Sequence, residues 1–280
     1  SVLLIVWAIL TEVSVGALFL AGVIPGLLLG LVFVIYCIVS AIRHPDRVPM
    51  AVEEEVPDSP GQRRSEKISG TGIILLIFLV LGGIWAGVFT PTEAAGFGVA
   101  GSIVLGFAKG MGRKEFIEAI LDAGRFTAPV MFLLIAGSMY AKLLAVSGSL
   151  DMIQMLLTDT GLGTLGLLAI MTVVWLLLGA LIDSISDILL TVPIFVPMAM
   201  AVGIDPVAFA IYGIIIIEAG LLTPPLGLLV FTVKSSVPDS SVTLSEIFIG
   251  AVPYWLLMLF VAVLVIVFPG LATWLPGLMF

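Results

Sequence analysis

The sequence predicts an all-α polytopic membrane protein, and three observations predict it. Of its 280 residues, 61% are hydrophobic and 11% charged, whereas a soluble domain has about 45–50% apolar and about 25% charged residues. Mean hydropathy is +1.29, and apolar runs of roughly 18 residues or more recur along the chain, long enough to cross a hydrocarbon core of about 30 Å. Period-two alternation is absent, which argues against a transmembrane β-barrel. These features exclude an ordinary water-soluble enzyme. The net charge of −8 offers no basic footprint for nucleic acid. The single cysteine, Cys37, lies in an apolar run, so there is no disulfide framework or cysteine metal site. No charged segment precedes the apolar run Val2–Leu10, so that run does not read as a signal peptide. The chain reads as the later part of a longer protein.

The elements follow in order. A short apolar run at 2–10 and a polar bend, Thr11-Glu12-Val13-Ser14, lead into a span at about 18–41. The segment Ala41 to Gly70 carries Pro45, Pro49, Pro57, Pro60, Glu53-Glu54-Glu55 and Arg63-Arg64, and reads as a solvated linker without a core. Spans at 72–89 and 92–108 are separated by Thr90-Pro91-Thr92-Glu93, a capping box with Pro91 at the first helical position. That pattern makes Glu93 a helix-start residue rather than a functional acid. A polar island, Lys109 to Arg125, suggests an amphipathic helix at 113–124 lying along the membrane surface: Phe116, Ile117, Ile120 and Leu121 form one face, and Lys114, Glu115, Glu118 and Asp122 the other. Apolar stretches then cover 126–146, 163–182, 188–202, 207–233 and 247–268. Asp205-Pro206 and Thr243-Leu244-Ser245-Glu246 supply two further helix starts.

Charge fixes the orientation. Arg43, Arg47, Arg63, Arg64, Lys67, Lys109, Arg113, Lys114, Arg125 and Lys234 can all face the cytoplasm, leaving only Lys142 of the 11 basic residues outside the positive-inside rule. The 163–202 region must then begin and end outside. Its arms, 163–178 and 188–202, reach roughly 24 Å or less as helices, short for a full crossing. A re-entrant hairpin with Asp183-Ser184-Ile185-Ser186-Asp187 at its tip fits better.

An internal repeat supports this architecture. Phe19-Leu20-Ala21-Gly22-Val23-Ile24-Pro25 and Ile247-Phe248-Ile249-Gly250-Ala251-Val252-Pro253 share an apolar–Gly–x–x–Pro opening before a long apolar span. Each follows an apolar stub and a polar bend, and the assigned sidedness inverts one copy relative to the other. Inverted repeats with interrupted hydrophobic segments are the signature of secondary transporters.

Two constellations can carry chemistry. Asp183 and Asp187 each cost roughly 2.5–3.5 kcal/mol at the bilayer centre unless paired or hydrated, so with Ser184 and Ser186 they read as a polar tip for a substrate or cation. The second is Glu218-Ala219-Gly220-Leu221-Leu222-Thr223-Pro224-Pro225-Leu226-Gly227. Two prolines remove two amide donors and push their predecessors out of helical geometry, so the span breaks there. Freed carbonyls suit Na⁺, and half-helix amino ends suit carboxylates. His44 reads as a solvated linker residue. No HExxH, Walker A or dinucleotide-binding glycine pattern is present, so the energy source is an ion gradient or a partner.

These motifs, together with Phe89-Thr90-Pro91-Thr92-Glu93-Ala94-Ala95 and Leu190-Thr191-Val192-Pro193-Ile194-Phe195-Val196-Pro197, resemble the large membrane subunit of the tripartite ATP-independent periplasmic (TRAP) transporters along essentially the whole chain. The resemblance implies an inverted-repeat, elevator-type ion-transporter fold and Na⁺-driven uptake of an organic acid such as a C4-dicarboxylate or sialic acid. The implied partners are a periplasmic substrate-binding protein, a small membrane subunit and the lipid bilayer of the inner membrane, with Na⁺ as coupling ion and no other cofactor. It also implies that Ser1 ends a Pro-Pro-Ser-like motif of an upstream half. Under it, Gly179, Asp183, Gly220, Thr223 and Leu226 form a Na⁺ site mostly through carbonyls, and Asp183, Ser184, Ser186, Asp187, Thr223, Pro224 and Pro225 line the substrate. The segments become 1–41, the end of a first repeat; 42–70, a cytoplasmic linker; 71–125, scaffold with the arm helix; 126–237, transport-domain part; and 238–280, a last scaffold helix and periplasmic end.

Rival readings make different demands. A symporter or antiporter of the same architecture needs no binding protein. An intramembrane aspartyl protease needs carboxylates from separate helices, whereas Asp183 and Asp187 are one turn apart. A purely structural subunit predicts no ion-dependent change at Thr223.

Overall fold

A computed structural model describes residues 2–45, 60–148, 152, 155, 163–237 and 242–279, with side chains described from 70 onward in the second of these stretches. Ser1, Asp151 and linker residues 46–59 lie outside the described residues. Among the described residues there is no strand, and most of them are helical. In order they are α1 Val2–Thr11, α2 Val15–Ala21, α3 Val23–Arg43, α4 Pro60–Trp85, α5 Pro91–Ala108, α6 Arg113–Ser147, α7 Thr164–Gly179, α8 Ser184–Ala201, α9 Pro206–Gly220, α10 Leu228–Ser236, α11 Leu244–Val267 and α12 Gly270–Thr273. Among the described residues, four stretches are long and apolar enough to cross a membrane: Val15–Arg43, Arg113–Ser147, Ser184–Ala201 and Leu244–Val267.

The local start signals operate as the sequence predicts. Thr90 caps α5 and Thr243 caps α11, each in a full capping box with Glu93 and Glu246 respectively. Asp205 caps α9 through the amides of Val207 and Ala208, with Pro206 in the first turn. At the bend after α1, Glu12 takes φ 57 and Ser14 caps α2. The α2–α3 boundary falls where Pro25 has no amide to give Ala21, while Gly22 and Gly26 continue the helical ladder on either side.

Three expectations change. The surface helix at 113–124 is not a separate element, because α6 runs unbroken for 35 residues with Pro129 inside it. Between Asp122 and Phe126 stand only Ala123, Gly124 and Arg125, and an isolated glycine costs about 1 kcal/mol, too little to stop a helix. At 1.5 Å per residue α6 is about 52 Å long, well beyond the hydrocarbon core. The linker is also shorter than 41–70: α3 persists to Arg43 and α4 begins at Pro60. The arm at 188–202 is longer than the sequence suggests. Asp183 starts its helix four residues earlier, giving α8 18 residues, the length of a minimal span. Half of that span is buried inside the protein, against 17–22% for the other three, so α8 is a packed central helix.

The chain divides into two compact units, Ser1–Phe33 with Ala128–Leu278, and Val34–Thr127. The second contains the antiparallel pair α4–α5, packed through glycine notches. A Cβ added at Gly101 would lie 2.3 Å from Leu76, and one at Gly72 would lie 2.9 Å from Leu105. Close approach over small residues is how helices associate where lipid removes the hydrophobic driving force. Much of the remaining apolar surface of this unit faces outward, as lipid contact requires; Phe78, for example, is 69% exposed.

The first unit holds the core. Trp7 of α1, Trp175 of α7 and Phe209 of α9 cluster with ring centroids 5.4–6.2 Å apart. Both indoles press on Gly213, where an added Cβ would lie 2.6 Å from Trp7 and 2.9 Å from Trp175. Around this cluster α9 packs on α7, α8 and α11, and α1 packs on α8. The arrangement fixes the ends of α7, α8 and α9 against one another.

Candidate functional site

The helix–turn–helix α7–α8 and the interrupted helix α9–α10 are irregular elements of the first unit, and their breaks meet. Helix α7 ends at Gly179 and α8 begins at Ser184; α9 ends at Gly220 and α10 begins at Leu228. A Cβ at Gly179 would lie 2.9 Å from Ile217 O and 3.0 Å from Gly220 Cα, so only bare backbone fits on either side. The Gly227 amide donates to Ala180 O at 3.2 Å, and Ser184 Oγ donates to Glu218 Oε1 at 2.8 Å.

The break after α9 has a simple cause. Thr223 turns back onto Gly220 O with its amide at 2.9 Å and its hydroxyl at 2.6 Å. Pro224 and Pro225, joined by a cis peptide, supply no donors, and Gly227 takes φ 54, a left-handed conformation suited to glycine. Pro224, Pro225 and Leu226 are exposed, while Thr223 is half-buried. Gly220 O, expected among the freed carbonyls, already accepts two hydrogen bonds in this arrangement. The Thr223 oxygen instead keeps lone pairs, because its proton is spent on Gly220.

At the hairpin corner the two aspartates part company. Asp183 is exposed and caps α8: Oδ1 accepts from Ile185 N at 3.0 Å and Ser186 N at 3.1 Å, and Oδ2 accepts from Ser186 Oγ. Asp187 does not share that tip. It is 0% exposed, and neither carboxylate oxygen has a hydrogen-bond partner. The spacing of four is decisive: Asp183 precedes the helix, whereas Asp187 falls in its first turn on the face turned into the protein. Ser184, on that same face, is buried at 8% exposure, and Ser186 is half-buried.

The sequence places Glu218 at the head of the second constellation but in neither the Na⁺ nor the substrate set, although it is an acid within an otherwise apolar half-helix. That isolation was the available signal. The capping role of Asp183 could also be read locally, since Asp before a Ser-rich helix start is an N-cap pattern.

The site is electronegative. Asp183, Asp187 and Glu218 lie on the elements that meet, and the described lysines of this unit are elsewhere: Lys142 is exposed, and Lys234 donates to Val242 O. The α8 amino end is filled by its own Asp183, so it is not free to take a second anion. A hard cation on oxygen ligands suits this chemistry better than an isolated carboxylate does.

Comparison with known proteins agrees with this architecture. Residues 1–271 match the family model described as the tripartite ATP-independent periplasmic transporter, DctM component. The chain is 33% identical over 281 residues to the C4-dicarboxylate TRAP transporter large permease protein DctM of Pseudomonas aeruginosa, covering 99% of this chain and 63% of that protein. It is also 33% identical over 284 residues to the sialic acid TRAP transporter large permease protein SiaM of Vibrio cholerae, covering 99% and 64%. The ectoine TRAP transporter large permease protein TeaC of Halomonas elongata is 28% identical over 289 residues, covering 100% and 64%. The chain thus spans somewhat under two thirds of the length of these relatives. With several helices able to cross a bilayer and a match along nearly its whole length, the chain belongs to the DctM-component family of TRAP transporter permeases, multi-pass proteins of the bacterial inner membrane.

Proposed function

We propose that this chain forms part of a Na⁺-coupled secondary transporter that imports an organic acid delivered by a periplasmic binding protein, with a small membrane subunit bracing it. The observation that carries the reading is the meeting of the two breaks, with Gly179 against Gly220 and the Gly227 amide on Ala180 O. Interrupted helices that converge at one point are how transporters build ion and substrate sites. The cargo is a carboxylate of the C4-dicarboxylate or sialic acid kind, as the names of the relatives suggest.

Charge orders the binding. The site carries acids and no described basic side chain, so a cation at Gly179, Asp183, Thr223 and the Gly220–Leu226 backbone supplies the positive charge a carboxylate needs. The substrate would then meet the rim formed by Ser186, Thr223, Pro224 and Pro225, with Ser184 and Asp187 behind it. Alternating access follows if the segment 126–237 carries this site across the membrane, with α4–α5 and α11 as scaffold and the 113–124 part of α6 as its supporting arm.

The test is uptake of labelled sialic acid or dicarboxylate by the full-length protein, reconstituted with its partners, with and without a Na⁺ gradient. Uptake is expected to need both the gradient and the added binding protein. Uptake without the binding protein favours an ion-coupled symporter or antiporter of the same architecture. Thr223→Ala is expected to weaken Na⁺ dependence far more than Glu93→Gln, whose capping role glutamine preserves; equal effects would refute the site assignment.

A further inference from the structure

The strongest unexplained feature is the Asp187 carboxylate. It is fully buried and both oxygens are unpartnered, although groups able to donate stand on the same face of α8. Ser184 is three residues before it and Thr191 four after, the spacings that place side chains together on a helix. Their protons are committed elsewhere. Ser184 Oγ donates to Glu218 at 2.8 Å, and Thr191 Oγ1 donates to the main-chain oxygen of Asp187 at 2.7 Å while accepting from Trp175 Nε1. The strip of α8 that carries Asp187 thus presents oxygens: the Asp187 carboxylate, the Ser184 and Thr191 hydroxyls, and, through Ser184, the Glu218 carboxylate of α9.

An ionised carboxylate buried without a partner is heavily penalised. A proton would cancel the charge but leave an O–H donor and a carbonyl to satisfy. A cation answers both needs, because it neutralises the charge and takes both oxygens as ligands. The donor set is all oxygen, which suits a hard ion and not a soft one.

We propose that Asp187, with Ser184 and Glu218, forms a cation position for a hard monovalent ion of the Na⁺ class, buried among α7, α8 and α9 one helical turn inward from the tip. Its binding stands on the packing of Asp187, and only its role in transport rests on the ion-coupled reading above. The Ser184–Glu218 hydrogen bond joins α8 to α9 at this position, so an ion here ties the hairpin to the broken helix.

The experiment is thermal unfolding of the purified full-length transporter, with its small subunit, titrated with NaCl against choline chloride. A ligand that binds only the folded state raises the melting temperature with concentration. In Asp187→Asn the Na⁺ concentration for half-maximal stabilisation is expected to rise at least ~10-fold, and Glu218→Gln should shift it in the same direction. Thr223→Ala should weaken Na⁺-driven uptake and remove the tip's own share of the stabilisation, leaving the Asp187-dependent share in place. If Asp187→Asn assembles and responds to Na⁺ like the wild type, the buried position is refuted and the tip site stands. If Asp187→Asn fails to assemble, an unchanged response in Glu218→Gln refutes it equally. Stabilisation that follows pH and ignores Na⁺ overturns it in favour of a neutral buried acid. If Asp187→Asn loses the Na⁺ stabilisation but keeps Na⁺-driven uptake, the role in transport alone is overturned.

Discussion

Gly179 and Gly220 show how much a missing side chain decides. Each glycine faces backbone, and backbone cannot swing aside as a leucine tip can. Gly179→Ala is therefore expected to cost about 1–3 kcal/mol through overpacking and to push the hairpin away from the broken helix. Gly250, on α11, has nothing within 4 Å of an added Cβ, so Gly250→Ala should be neutral or stabilise by roughly 0.5–1 kcal/mol through helix propensity. Thermal unfolding of the two variants in the same detergent checks the contrast, and similar losses in both would remove the close contact from the argument. These glycines are visible in the sequence only as small residues. Asp183 and Asp187 give the same lesson, since spacing marks them as neighbours but not as one exposed cap and one buried orphan.

Among the elements, helix starts were the most legible. Thr90-Pro91-Thr92-Glu93 and Thr243-Leu244-Ser245-Glu246 predict capping boxes, and in both the glutamate reaches back to the threonine amide, at 2.8 Å and 2.7 Å. Thr90→Ala and Thr243→Ala should each destabilise by about 1 kcal/mol, measured by denaturant unfolding. Serine at either position should restore most of the loss. Helix ends were harder to read. The 113–124 segment was legible as an amphipathic helix, yet nothing in its composition told whether it would stop before Phe126. The break between α9 and α10 was legible because two prolines remove donors that no neighbour replaces. The early start of α8 was missed because Asp183 was weighed for its charge and not for its lone pairs.

For the whole molecule, the positive-inside assignment makes one topological demand that bears on every other claim. With Cys37 replaced by serine, a cysteine at Arg113 or Ser235 should react with impermeant reagents from the cytoplasmic side, and one at Lys142 from the opposite side. Labelling of 113 and 142 from the same side would contradict a crossing by α6 and with it the inverted sense of the repeat. The class of the protein was settled by composition, since a chain with 61% hydrophobic residues cannot hide that surface from water without a membrane. The positions of the caps and of the double-proline break were settled as well, because each depends on chemistry within a single turn. The tertiary structure alone decided that Gly179 would lie on Gly220, that Ser184 would reach Glu218 34 residues away, and that Asp187 would be sealed inside. Those contacts arise from which helix faces can approach without side chains between them, and that property belongs to pairs of surfaces, not to any one stretch of sequence.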